Sequence, residues 1–297
     1  MADLEGRMGL AGEVAVVIGG GGGIGAAISR TLAGHGVDIA FCDRNAQSCS
    51  DLARELEASG RSVHAVVLDA TDARSLADFY GEVDRRFARL DIVVNVVGGV
   101  LQSPFMETTA ASRDADIRRN YGYVVDSVYH AVPLIRRGGR GGSIVNFTTI
   151  EAHRGAAGFA VYAGAKAATA NFSRALAVEL GPERIRVNTI APDTTPSEGN
   201  FLALPPETRD SMLNSPPEWM AEALKMYIPL GQPPSAQDLA DAVLFLASDL
   251  SRSVTGTTLH VDGGTFAASG FVNWPQGQGF LPVPLAQVQQ RLFGSKR

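Results

Sequence analysis

The sequence predicts an α/β fold in which one parallel, doubly wound sheet of seven strands is covered by helices on both faces. Three observations carry that expectation. Short runs that are apolar throughout alternate with longer runs of helical spacing, the pattern of parallel strands buried on both sides. A glycine cluster, IGGGGGIG at 18–25, stands where the first strand gives way to the first helix. An acid, Asp43, closes the second strand.

In order, EVAVVIG (13–19) reads as a buried strand and IGAAISRTLAGHG (24–36) as a helix stopped by glycine. VDIAFCD (37–43) is a second strand, AQSCSDLARELEASG (46–60) a helix, and SVHAVVLDA (62–70) a third strand. The helix DARSLADFYGEVDRRFARL (72–90) leads to DIVVNVV (91–97), the fourth strand. A long helical region over about Asp114–Arg137 precedes the strand GSIVNFT (142–148), and a helix from about Phe159 to Leu180 follows it. RIRVNTIAP (184–192), the helix AQDLADAVLFLAS (236–248) and the strand TTLHVDGG (257–264) complete the alternation. Residues 1–264 are therefore expected to form a single Rossmann-like domain. Two stretches break the rhythm. Residues 193–230 form an insertion of a length usual for substrate lids. Residues 265–297 form a C-terminal extension with proline and aromatics around Trp274 and Phe280.

The 297 residues can build a substantial core, and with 45% hydrophobic and 19% charged residues the composition is that of a globular protein. A net charge of -5 without a long basic run argues against nucleic acid as a partner. No apolar run approaches the ~20 residues of a membrane helix. The charged N-terminal stretch MADLEGRMGL has no apolar export core, so the cytoplasm is the expected location. The two cysteines, Cys42 and Cys49, lack the spacing of a metal site and are read as free thiols.

Without side chains, a glycine turn lets the backbone approach a pyrophosphate, which then meets the N–H groups at the helix N-terminus. Asp43 follows Gly25 by 18 positions, close to the ~20 at which an acid takes the ribose hydroxyls. A carboxylate there accepts from a 2′-hydroxyl and repels a 2′-phosphate, favouring NAD over NADP, although the adjacent Arg44 offers a phosphate partner. VYAGAK (161–166) puts Tyr162 and Lys166 one helical turn apart on one face. Alone, the pair reads either as a surface contact or as a tyrosine of tuned acidity.

Taken in order, the glycine loop, NVVG (95–98), SIVNFTT, YAGAK (162–166) and VNTIAP make the chain resemble the short-chain dehydrogenase/reductase family over about Gly12–Gly264. The resemblance implies that Gly19, Gly23 and Gly25, with Ile24, hold the cofactor phosphates, and that Asp69 and Ala70 meet adenine. Asn95, Gly98 and Pro192 would line the nicotinamide end. It implies a catalytic set of Asn120, Thr149, Tyr162 and Lys166, with threonine where the family usually has serine. Tyr162 would be the general acid/base, and Lys166 would lower its pKa and bind the nicotinamide ribose. Thr149 would orient the substrate oxygen, and Asn120 would hold a proton-relay water. Departures are Ile18 for the usual threonine, Val96 and Val97 in the NNAG motif, and Asp193 for the glycine after Pro192.

The implied activity is NAD-dependent interconversion of a secondary alcohol and a ketone. Leu101, Phe105, Met106, Phe159, Phe201, Leu202, Leu204, Trp219 and Met226 form an expected apolar substrate wall, with half of them equally able to pack the lid onto the sheet. His153 is read as a solvated loop residue. The Phe172–Leu180 face suggests a homotetramer or homodimer, with the tail crossing to a neighbouring subunit. Two rivals on the same fold are an NAD-binding regulator or scaffold, and a dehydratase or epimerase.

Overall fold

The computed structural model describes residues 4–99, 102–196, 206–214, 216–274 and 279–282. Seven strands, β1 (Val14–Ile18), β2 (Asp38–Asp43), β3 (Val63–Val67), β4 (Ile92–Asn95), β5 (Gly142–Phe147), β6 (Ile185–Pro192) and β7 (Thr258–Val261), form one sheet. Its order is β3-β2-β1-β4-β5-β6-β7, with every pairing parallel. The chain winds outward from β1 to β3 and then returns past β1 to β4. That reversal opens a crevice at the carboxyl ends of β1 and β4, where ligands bind in folds of this type. Ile18 stands level with Cys42 and with Asn95, so the glycine turn, Asp43 and the NVVG stretch leave the sheet at one edge.

The helices are α1 (Leu4–Met8), α2 (Gly23–Gly34), α3 (Ala46–Ala58), α4 (Ala73–Phe87), α5 (Ala110–Ile117), α6 (Tyr123–Gly138) and α7 (Ala160–Leu180). Side chains of α2, α3 and the helix Ala236–Ala247 fill one face of the sheet, with Ile28, Leu52 and Val243 buried against Val17, Phe41 and Val145. Those of α4, α6 and α7 fill the other, where Phe79, Tyr123 and Leu180 meet Val16, Val93 and Val187. Fully apolar strands need cover on both sides, and these two layers supply it.

Three boundaries differ from expectation. The region expected to be helical from about Asp114 begins earlier, because Thr109 and Ser112 form a reciprocal capping box at the start of α5. It is also interrupted by a π-helical turn over Arg118–Gly122. The third strand ends at Val67, where Leu68 still donates to the Asp43 carbonyl before Asp69 folds the chain into a turn around Thr71. Within the insertion, helices run over Pro206–Asn214 and Pro217–Tyr227. In the tail, β8 (Val272–Trp274) pairs antiparallel with β9 (Gly279–Leu281), and Asn273 donates to the Lys225 carbonyl at 3.2 Å. The described part of the tail thus rests on the helix Pro217–Tyr227 of its own chain. Among the described residues no helix is long and apolar enough to cross a membrane, and no cluster of metal-ligating side chains occurs.

Candidate active site

The glycine turn is a tight fold of backbone against the ends of β1 and β2. The amides of Gly19 and Gly20 both donate to the Cys42 carbonyl, at 2.9 and 3.0 Å. A Cβ on Gly25 would stand 1.9 Å from the Gly19 carbonyl oxygen, so that position excludes any side chain. Gly22, the N-cap of α2, has nothing within 4 Å of its Cβ position and leaves an open approach to the helix N-terminus, where Gly23 and Ile24 begin the first turn. Ile18 cannot brace this turn, but Ser29 does so from within α2, donating towards the carbonyls of Gly25 (3.0 Å) and Gly20 (3.3 Å). Asp43 accepts from the Gly21 amide at 3.2 Å and from the Asn45 amide at 3.1 Å. One bond to each oxygen leaves both with acceptor capacity for a ribose diol. Arg44 beside it is exposed. Asp69 is exposed and accepts from the Thr71 amide and hydroxyl, which hold its carboxyl below the usual range, and Ala70 is buried behind it. This open glycine cradle beneath a free helix end, with an acid to one side, fits a dinucleotide.

Behind the cleft lies a hydrogen-bonded row that sequence reasoning missed. Tyr80 pairs with Ser127, Ser127 donates to Asn95, Asn95 donates to Asn146, and Asn146 donates to Ser173. The Asn95 side chain is consumed inside this row and fully buried, so any contact of that residue with a cofactor falls to its backbone. The row continues through Ser173 to the Thr169 carbonyl, and the Thr169 hydroxyl donates to the Asn120 carbonyl at 2.9 Å. Asn120 lies in the π turn, a feature frequent at functional sites. Its amide grips Gly99 from both sides, donating to the carbonyl at 3.0 Å and accepting from the N–H at 3.2 Å. Gly98 sits between Asn120 and Lys166: a Cβ there would lie 3.0 Å from Lys166 Nζ and 3.2 Å from Asn120 Oδ1. Val97 packs on Gly19, and its carbonyl accepts from the Tyr123 hydroxyl at 2.7 Å, which ties down the loop after β4.

Lys166 and Tyr162 occupy one face of α7, facing the end of β5. Lys166 is 2% exposed and donates to the Phe147 carbonyl at 2.9 Å. Burial pushes its pKa down to about 7. Burial also pushes Tyr162 up to about 12; a hydrogen bond with Thr149 opposes this, while the charges of Glu151 and Asp193 add to it. The ammonium is turned to a carbonyl, and the charges that bear on the phenol are carboxylates. Thr149, buried beside it, donates to Glu151. Thr148 turns away and donates to the Ile190 carbonyl, as strand alternation requires.

Glu151 belongs to a charged group that the sequence did not single out. Its second oxygen accepts from Arg154 at 3.0 Å, Arg154 donates to the Tyr227 hydroxyl at 2.6 Å, and Tyr227 donates to Asp193 at 2.6 Å. Glu151 and Arg154 are three residues apart, which was a visible signal, but Tyr227 arrives from the helix Pro217–Tyr227 in the insertion. Pro192 ends β6 beneath Asp193. His153 packs against His260 and Phe266, away from this group. Of the apolar wall, Phe105 and Phe159 line a crevice with Tyr162, Arg113 and Asp116. Met106 and Trp219 are exposed, whereas Leu101, Phe201, Leu202 and Leu204 lie outside the described residues.

A family model described as Enoyl-(Acyl carrier protein) reductase matches residues 19–265. An uncharacterised oxidoreductase of Mycobacterium tuberculosis (strain CDC 1551 / Oshkosh) is 36% identical over 254 residues, covering 85% of this chain and 91% of the relative. The 7alpha-hydroxysteroid dehydrogenase of Escherichia coli (strain K12) is 32% identical over 86% of this chain and 94% of its own. Among solved structures, carveol dehydrogenase from Mycobacterium avium in complex with NAD superposes with a TM-score of 0.81 at 30% identity, covering 86% of this chain and 98% of that one.

Proposed function

The chain belongs to the short-chain dehydrogenase/reductase family of oxidoreductases, and from that premise we propose that it interconverts a secondary alcohol and its ketone with NAD(H). The observation that carries the reading is the meeting of Thr149, Tyr162 and Lys166 at the carboxyl edge of the sheet, beside the glycine cradle. NAD, when bound, supplies the hydride acceptor, and NADH the donor. Gly19, Gly22, Gly23, Ile24 and Gly25 would hold its phosphates, and Asp43 its adenosine ribose. Asp69 and Ala70 would stand beside adenine, and Lys166 would donate to the nicotinamide ribose. Tyr162 serves the substrate oxygen: its phenol, kept protonated by burial, donates to a carbonyl in reduction and must be deprotonated for oxidation. Thr149 orients that oxygen, and Asn120 fixes the Gly99 backbone and hence the loop passing Lys166.

The substrate is read as a hydrophobic small molecule. Phe105, Phe159 and the exposed Trp219 support this, as do relatives named for steroid and carveol substrates. A homotetramer is proposed from the outward faces of α6 and α7, where Tyr129 is 75% and Val178 81% exposed, and the cytoplasm is its proposed location.

Fluorescence titration with NADH and NADPH tests the cofactor assignment. NADH is expected to bind more tightly by about tenfold or more, ~1.4 kcal/mol, and Asp43→Ser to erase the difference. Tighter NADPH binding by the wild type would reassign that pocket to Arg44.

A further inference from the structure

We propose that Arg113 is a specificity-determining residue of this site, receiving a carboxylate carried by the substrate in the crevice that it shares with Tyr162. The proposal rests on the alcohol–ketone reading above and narrows its substrate class to hydroxy and keto acids with an apolar body.

The crevice is built where two loops meet two helices. The Ser103 amide donates to the Gly158 carbonyl at 3.0 Å, joining the stretch after β4 to the stretch before α7. Gly158 has a φ of 81°, and a Cβ on it would stand 2.8 Å from Gln102 Cγ, so the two stretches run closer than a side chain allows. Arg113 and Asp116 enter the lining from α5, Phe105 from the 3₁₀ turn Phe105–Glu107, and Phe159 and Tyr162 from the start of α7. Two aromatic rings give the crevice an apolar wall. The phenol that serves the substrate oxygen stands in the same lining as a guanidinium.

That guanidinium is held in place without being neutralised. Arg113 is half-buried, and its Nη1 donates to the Thr108 carbonyl and to the Thr108 hydroxyl, each at 3.1 Å. The Thr108 hydroxyl gives its own proton to the Phe105 carbonyl at 2.7 Å, so towards Arg113 it acts as an acceptor. Both partners are uncharged. Among the described residues Arg113 has no carboxylate partner. Asp116 follows it at a spacing that suits an ion pair along the helix, yet pairs at 3.9 Å with Arg119 instead. Burial raises the Asp116 pKa, and the charge that opposes this is that of Arg119. Arg113 Nε and Nη2 remain as one edge of the fork, the edge that matches the two oxygens of a carboxylate. A half-buried cation without an anion bears a desolvation cost that an incoming carboxylate offsets. With Asp116 in the same lining, a singly charged group suits one arginine better than a phosphate dianion does.

The test compares NAD-dependent oxidation of secondary alcohols that carry a carboxylate with that of their methyl esters, which keep the apolar body and lose the charge. In at least one pair, wild type is expected to use the acid better by on the order of tenfold in kcat/KM, with an advantage that shrinks as salt is raised. Arg113→Gln is expected to cost the acid on the order of 10–10²-fold, mostly through KM, and about tenfold more than it costs the ester. Arg113→Lys keeps the charge without the fork and is expected to recover part of the preference. Wild type using the ester as well as the acid, or better, in every pair would overturn the proposal. An equal loss for acid and ester in Arg113→Gln would reduce Arg113 to an anchor of the Phe105 turn, and would also overturn it. Melting temperature and NADH binding establish folding. If Arg113→Gln does not fold, Ser103→Asp puts a carboxylate into the same crevice and is expected to cancel the acid preference; a preference that survives it counts against Arg113. A wild type that oxidises no alcohol defeats the redox reading itself. Calorimetry of the same acids and esters on the NADH-loaded protein then decides the subsite alone: acid binding tighter than ester binding and lost in the variant retains it, and equal binding refutes it.

Discussion

Lys166 is a cation buried with one carbonyl for company. Burial alone brings it to about 7 from an ordinary 10.5, with no carboxylate among the causes. Below about 7 the folded and unfolded chains both hold the proton, and folding bears the full desolvation cost. Between about 7 and 10.5 the folded chain sheds the proton while the unfolded chain keeps it, so this group makes stability rise with pH across that window. Lys166→Met is therefore expected to raise the melting temperature most below pH 7, at ~2–4 °C per kcal/mol regained in a domain of this order of size. The gain should shrink as pH climbs towards 10.5, while NADH binding weakens at every pH. Thermal scans at several pH values check it; a gain independent of pH would refute the assignment of the cost to the charge. Tyr162 and Lys166 were legible because their spacing is local. Glu151 was not, because its meaning depends on Thr149, Tyr162 and Arg154 converging, and Arg154 finds Tyr227 73 positions away. Nor could a pattern of residues show that burial and the charges of Glu151 and Asp193 raise the phenol's pKa.

Among the elements, the strand–glycine–helix junction was the most legible, because glycine count, strand end and acid all follow from sequence order. What the order could not show is the division of labour among the glycines. Gly25 is required by the fold, since its Cβ would meet the Gly19 carbonyl at 1.9 Å, while Gly22 has open space and an extended backbone any residue adopts. Gly25→Ala is expected to lower stability by about 1–3 kcal/mol and abolish NADH binding, as overpacking against backbone does. Gly22→Ala is expected to keep the wild-type melting temperature and weaken NADH alone, because its methyl would occupy the phosphate approach. Paired melting curves and NADH titrations separate the two, and equal destabilisation by both would contradict this account of the turn. The π turn that presents Asn120 was invisible to periodicity, since one extra residue within an otherwise helical run leaves the apolar pattern nearly intact.

At the scale of the molecule, the seven-stranded parallel order follows from apolar strands alternating with helices, and the switch between β1 and β4 then fixes where the cleft must lie. The buried row from Tyr80 to Thr169 lies behind that cleft and joins α4, α6, β4, β5 and α7, so Tyr162 and Lys166 stand on a helix whose polar interior is already mutually satisfied with its neighbours. The insertion and tail were legible only as interruptions, and their packing on each other through Asn273 and Lys225 was not. The function proposed above assigns these layers one chemical act, proton transfer at Tyr162 coupled to hydride transfer. The most direct measurement follows NADH formation from NAD across a panel of secondary alcohols, for wild type and Tyr162→Phe side by side, with NADH affinity measured for both. The account expects wild type to oxidise at least one alcohol, and the variant to bind NADH equally well yet turn over slower by on the order of 10²–10⁴. Equal turnover by the two proteins would contradict it.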